Sequence, residues 1–76
     1  MKSFVLVYER DSGELSLEEF SPGHRAEAFA LRSELQRTAG PNTEVVVLHA
    51  DDIRTLRTTH RRYFEGASEM LRHMAV

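Results

Sequence analysis

Two segments of the chain, residues 4–8 and 45–48, are apolar at every position. Successive side chains of a strand point to opposite faces of its sheet, so a strand with one wet face alternates apolar and polar residues. Both segments therefore predict strands that are covered on both faces. The second cover must come from the chain's own helices or from a partner, so this pattern concerns assembly more than chemistry.

A β-hairpin is predicted at the start of the chain. Residues 3–9 form its first strand and residues 14–20 its second, in which Leu15 and Leu17 alternate with polar side chains. Between them, residues 11–13 supply short polar side chains and a glycine that is free to take positive φ. The second strand is expected to have one wet face.

A first helix is predicted to follow this hairpin. Ser21 can cap its amide groups and Pro22 fits the first helical position, while Gly40 and the proline after it stop the helix near Thr38. Its core stripe has helical spacing and consists of Ala28, Leu31 and Leu35. Phe29 lies on a separate flank, where it either widens the core contact or faces a partner.

The second half of the chain predicts a third strand over residues 44–50 and a second helix over residues 52–65, capped by Asp51 or Asp52. The apolar stripe of this helix contains Ile53, Leu56, His60 and Phe64, with Tyr63 close by. Residues 67–76 are predicted as an optional short terminal helix.

The element order ββαβα predicts one two-layer α/β (α+β) domain spanning residues 1–76. The third strand can pair with the first or with the second. Because the first strand is apolar on both faces and the second alternates, the order 2-1-3 is favoured over 1-2-3. Residues 45–48 then form an exposed apolar edge, which invites pairing with another chain. A two-fold dimer that continues the sheet removes this edge, and cover by the second helix removes part of it.

Composition narrows the class of protein. The 76 residues carry a net charge of −2 and no cysteine, so neither a disulfide nor a thiolate metal site is available and no cofactor is expected. Oligomerisation is therefore the remaining way to add folding stability to so small a hydrophobic core. No apolar run approaches the ~20 residues of a membrane span, and the first apolar segment is too short for a signal-peptide core. We expect a cytoplasmic protein.

Histidines and carboxylates supply two candidate sites for chemistry. His49, Asp51 and Asp52 lie where a strand ends and a helix begins, a common place for ligands in α/β sheets. The favoured alternative is that the aspartates cap the helix. His60 and Tyr63 are candidates for a ligand or catalytic site, although His60 also fits the margin of a core.

One basic surface is predicted on the second helix. Its residues are Arg54, Arg57, Arg61 and Arg62, with Tyr63 beside them. Arginines one helical turn apart can contact successive phosphates, and a tyrosine can stack on a base. The more common role of such a row is a solvated flank paired with acidic side chains.

These observations favour a small protein-interaction or regulatory module over an enzyme, assembled as a homodimer that can also bind another protein. The candidate interface residues are Val46, Leu48, Phe29, Met70, Leu71 and Met74. The alternatives are a nucleic-acid-contacting protein that uses the arginine row, and a small ligand-binding or catalytic dimer around His49, His60 and Tyr63.

Overall fold

The computed structural model describes residues 1–65, and residues 69–73 as strand backbone. Its elements are β1 (Lys2–Glu9), β2 (Leu15–Phe20), α1 (Arg25–Thr38), β3 (Thr43–Ala50), α2 (Ile53–Thr59), a 3-10 helix (Arg61–Phe64) and β4 (Glu69–His73). The α+β class and the predicted ββαβα order are confirmed over residues 1–65.

The strand order among the described residues is β3-β1-β2-β4. Because β1 pairs antiparallel with both β2 and β3, the predicted order 2-1-3 is confirmed. β4 pairs parallel with β2, so β2 is not an edge and residues 69–73 are not helical as expected. The added strand satisfies backbone groups that an edge β2 would leave unpaired. The rest of the predicted terminal helix lies outside the described residues.

A tight turn joins β1 to β2. Gly13 has φ 77°, a left-handed conformation that is easily adopted only by glycine. Its N–H donates to Glu9 O at 2.8 Å, and Glu9 N donates to Glu14 O at 2.9 Å. The predicted hairpin is therefore present, and its register places Leu17 opposite Leu6.

Both faces of the sheet are covered by helices of the same chain. Phe4 and Leu6 of β1 pack with α2 and the 3-10 helix on one face, here called the α2 face. Val5 and Val7 pack with α1 on the other, the α1 face. Phe4, Val5 and Leu6 are each at most 1% exposed. Each face of the sheet therefore has its own helical cover.

Chain crossovers explain why the helices lie on opposite faces. The connection from β2 through α1 to β3 crosses the sheet in one direction, and the connection from β3 through α2 to β4 returns in the other. Both join parallel strands, and such crossovers are almost always right-handed. Two crossovers of the same hand that travel in opposite directions must place their helices on opposite faces.

The start of α1 differs from the prediction. Pro22 and Gly23 occupy the centre of a turn in which His24 N donates to Ser21 O at 3.2 Å. Gly23 has φ 92°, as the third position of a type II turn requires. The cap residue is therefore His24 instead of Ser21, and the first helical residue is Arg25.

The second helix is shorter than predicted. Asp52 caps it as expected, since its carboxylate accepts from Thr55 N at 2.9 Å. Near its end, the hydroxyls of Thr58 and Thr59 donate to carbonyls one turn earlier, at 3.2 and 3.0 Å. Such β-branched, back-bonding residues weaken a helix. α2 therefore stops at Thr59, and His60 becomes its C-cap.

The attachment of α2 to the sheet predicts a large effect for Leu56→Ala. Leu56 is completely buried and is the one buried residue of this helix. We expect the free energy of unfolding to fall by about 2–4 kcal/mol in urea titrations, because the truncation leaves a cavity. The matched control is Thr58→Ala on the exposed side of α2, which should cost less than about 1 kcal/mol. Equal losses for the two variants would contradict this packing.

Candidate functional site at the β3 edge

Half of the backbone groups of β3 face outward from the described sheet. β3 pairs with β1 through eight consecutive residues without a bulge and has no second neighbour there. Arg10 N donates to Asn42 O at 2.9 Å at the end of this ladder. Hydrogen-bonded pairs alternate along an antiparallel ladder, so the even-numbered positions of β3 bond inward. The outward-facing residues are Thr43, Val45, Val47 and His49, although Thr43 N donates to Gly40 O at 3.2 Å within the chain.

Side chains of α1 flank this edge on the α1 face. Phe29 is 44% exposed, and its ring centroid lies 6.0 Å from that of His49. Arg32 Nε donates to the outward carbonyl of Val45 at 3.5 Å, a long hydrogen bond. An open groove runs along the edge, lined by Phe29, Arg32, Val46, Val47 and Leu48. The predicted interface residues Phe29, Val46 and Leu48 thus share this edge, although the side chains of Val46 and Leu48 pack on the α2 face.

A buried serine contacts the histidine of this edge. His49 Nδ1 lies 3.0 Å from Ser3 Oγ, and Arg25 Nη2 lies 3.5 Å from His49 Nε2. A guanidinium can only donate, so this long contact favours the tautomer in which Nε2 accepts and Nδ1–H donates to Ser3 Oγ. Burial, with a smaller contribution from Arg25, holds the pKa of His49 below its usual value. His49 is therefore neutral at pH 7.

This Ser3–His49 pair does not have the arrangement of a hydrolase. A nucleophilic serine donates its proton to the histidine, whereas here the histidine donates to Ser3. Ser3 is also 1% exposed, so a substrate cannot reach its hydroxyl. The pair satisfies a buried polar group and positions the imidazole beside Phe29.

The carboxylates that the sequence grouped with His49 have another role. Asp52 accepts from both N and Oγ1 of Thr55, at 2.9 and 3.1 Å, and these bonds lower its pKa. His49 contacts Ser3, Arg25 and Phe29. The cap interpretation of Asp52 is therefore confirmed.

A second polar cluster lies at the other end of β3, around Glu44. The Glu44 side chain is 15% exposed and accepts from Arg62 Nη2 at 2.8 Å, Arg10 Nε at 3.1 Å and Tyr63 Oη at 3.2 Å. The hydrogen bond from Arg62 is the main cause that lowers the pKa of Glu44. Burial raises the pKa of Tyr63, which also meets Tyr8 edge to face at 5.3 Å. The cluster fastens the 3-10 helix to the sheet.

The predicted arginine row is divided by the end of α2. Arg62 stacks on Tyr63, with its guanidinium carbon 4.2 Å from the ring centroid, and Tyr63 is only 7% exposed. Arg57 lies 5.4 Å from the centroid of Phe64. Arg54 and Arg61 are exposed. A buried tyrosine ring cannot stack on a base, so this geometry gives little support to nucleic-acid binding.

The third predicted grouping is not assembled. His49 lies on the α1 face, beside Ser3 and Phe29. Tyr63 belongs to the core of the α2 face, and His60 caps α2 with its Nδ1 2.9 Å from Thr59 Oγ1. The sheet therefore separates His49 from the other two. Met70 and Leu71 belong to β4, described as backbone, and Met74 lies outside the described residues.

A groove of about 220 Å³ opens between α1 and β2. Its lining residues are Val5, Val7, Ser16, Leu17, Glu18, Leu31 and Leu35. β4 runs beside it, with Met70 in register with Ser16 and Arg72 with Glu18. The sequence analysis did not predict this groove, because it depends on how far α1 extends across the sheet.

Comparisons with protein-family models, with curated proteins and with solved structures give no match. Among the described residues, no helix has the length and apolar character needed to cross a membrane. The same part of the chain holds no group of three or more metal-ligating side chains. Function therefore has to be inferred from the geometry of the described residues.

The Glu44 cluster predicts a specific pH dependence of stability. Because folding lowers the pKa of Glu44 from 4.5, its stabilising contribution is complete above that value and is lost as the pH falls through the lowered pKa. In urea titrations, wild type should be more stable than Glu44→Gln at pH 7, and the difference should narrow below about pH 4. The control is Glu34→Gln on the exposed side of α1, which should change the free energy of unfolding by less than about 0.5 kcal/mol at either pH. A difference between wild type and Glu44→Gln that is independent of pH would contradict the role of the carboxylate.

Proposed function

We propose that the protein is a small non-enzymatic interaction or regulatory module that associates through the β3 edge, with a homodimer as its basic assembly. The observation that carries this proposal is the row of outward-facing backbone groups from Thr43 to His49 beside the exposed ring of Phe29. A strand from another chain can pair with this row, as in strand addition.

The edge lacks the usual devices that prevent such pairing. The strand Thr43–Ala50 contains no proline or lysine, and its register with β1 is continuous. Its charged side chain, Glu44, is held by Arg10 and Arg62 of the same chain. Native edges are commonly blunted by charges, prolines or bulges, so a long apolar edge without them favours an interface.

Binding is better supported than catalysis. The Ser3 hydroxyl is buried, and the sheet separates His49 from Tyr63. The contacts of Arg62 and Tyr63 with Glu44 also leave the arginine-row alternative with less support. The surfaces around Met70, Leu71 and Met74, and the cytoplasmic location, stay predictions.

Size-exclusion chromatography with light scattering tests the proposal. The chain has a mass of 8.7 kDa, and we expect wild type to elute at twice that mass. Phe29→Glu and Val46→Lys should shift it to monomer, because each places a charge at the pairing edge. Ala30→Glu supplies the control, since Ala30 is exposed next to Phe29 but is on a different side of α1. Circular dichroism verifies that each variant is folded.

Three results would overturn the proposal: a monomeric wild type, edge variants that dimerise like wild type, or equal losses for Phe29→Glu and Ala30→Glu. Absorbance at 260 nm is recorded in the same run. Two tyrosines and no tryptophan make the protein's own absorbance weak, so co-purified nucleic acid would be visible. Such a signal would favour the arginine row instead.

A further inference from the structure

The backbone of β3 allows few symmetric pairings with a second copy. An antiparallel pair joins outward-facing residues, so the two-fold axis passes through one position of the strand. An axis at Val46 joins Thr43 to His49 and Val45 to Val47, so every outward-facing carbonyl of the strand has a residue of the other copy opposite it, while Thr43 N stays bonded to Gly40 O of its own chain. An axis at Val47 leaves Thr43 opposite Asp51, beyond the strand.

The position of α1 determines which of its side chains lie beside each of these two axes. α1 runs antiparallel to β3, with Arg32 level with Val45 and Arg25 level with His49. Interpolation between these two contacts places the level of Val46 about midway between Phe29 and Arg32. The level of Val47 falls midway between Arg25 and Arg32.

Charge distinguishes the two registers. An axis at Val47 places Arg25 of one copy opposite Arg32 of the other, so like charges meet twice. An axis at Val46 places Arg32 opposite Phe29, where a guanidinium can lie over an aromatic face. It also places Arg25 opposite the neutral Gln36.

The distance between the two helices allows this contact. α1 packs on β1 and on β3 to similar extents and less on β2, so its axis lies between β1 and β3, nearer to β1. With strands ~4.8 Å apart, a two-fold axis half a spacing beyond β3 places the two α1 helices roughly 10–14 Å apart. Packed helices lie at ~8–10 Å, and side chains as long as those of Arg32 and Phe29 span the remaining gap.

We propose that the partner at the β3 edge is a second copy paired about an axis at Val46, with Arg32 of each copy over Phe29 of the other. This inference rests on the proposed function. Pairing replaces the 3.5 Å hydrogen bond from Arg32 to Val45 O with a backbone bond from the incoming strand. The released guanidinium then moves onto the partner's ring.

Single-cysteine variants test the register, since the natural chain has no cysteine. With the axis at Val46, the two Cα atoms of residue 46 face each other at ~4.5 Å, and those of residue 47 are ~8 Å apart. Disulfides require ~4.4–6.8 Å. Val46→Cys should therefore form a covalent dimer under mild oxidation, and Val47→Cys should not.

The cross-linking results are interpreted together with the oligomeric state of wild type, which sedimentation measures. Cross-linking of Val47→Cys in preference to Val46→Cys would overturn the register and leave the edge interface intact. A dimer in which neither variant cross-links would overturn both the axis at Val46 and the axis at Val47. A monomeric wild type would overturn both the register and self-association, and would favour an acidic extended peptide as the occupant of this basic flank.

Matched charge reversals test the side-chain contact. Arg32→Glu should raise the dimer dissociation constant about tenfold, because it removes two symmetric guanidinium–ring contacts. Arg25→Glu makes the same charge change seven residues away and should alter the constant by less than about threefold. Sedimentation equilibrium over a dilution series measures both. A larger effect from Arg25→Glu, or equal effects, would overturn the assignment of Arg32.

Discussion

The central strand β1 is the constraint on which the rest of the structure depends. It is apolar on both faces, so an exposed face would leave large hydrophobic side chains in water. Two crossovers of the same hand solve this problem with one chain, since they travel in opposite directions and place α1 and α2 on opposite faces. The same crossovers leave β3 at an edge, because β4 returns to the far side of β2.

The strands were predictable from local pattern, and the contacts between them were not. The apolar runs at residues 4–8 and 45–48, with alternation in β2, indicated a hairpin, a crossover and the order 2-1-3, all of which the structure contains. Residues 67–76 were predicted as an optional short helix that shows Met70, Leu71 and Met74. The strand conformation of residues 69–73 depends on a neighbour, β2, that is distant in sequence.

The candidate site was also predictable only in part, because local pattern indicates exposure but not contacts between distant residues. Exposure of Phe29 and the apolar edge followed from helix and strand periodicity, whereas the Ser3–His49 contact depends on the register between β1 and β3. The arginine row was expected to be regular because α2 was expected to continue to residue 65. Thr58 and Thr59 shorten it, and Arg62 turns toward Glu44 instead. Hydrogen bonds from threonine hydroxyls to helix carbonyls, and ion pairs between residues distant in sequence, produce no periodic pattern in the sequence.

Self-association through the β3 edge depends most on outward-facing amides that become paired only between chains. Hydrogen exchange of individual amides, measured over a range of protein concentrations, tests this directly. The N–H groups of Val45 and Val47 should become protected as concentration rises, whereas those of Val46 and Leu48, bonded to β1, should be protected throughout. Protection of Val45 and Val47 that does not change with concentration would contradict self-association through this edge.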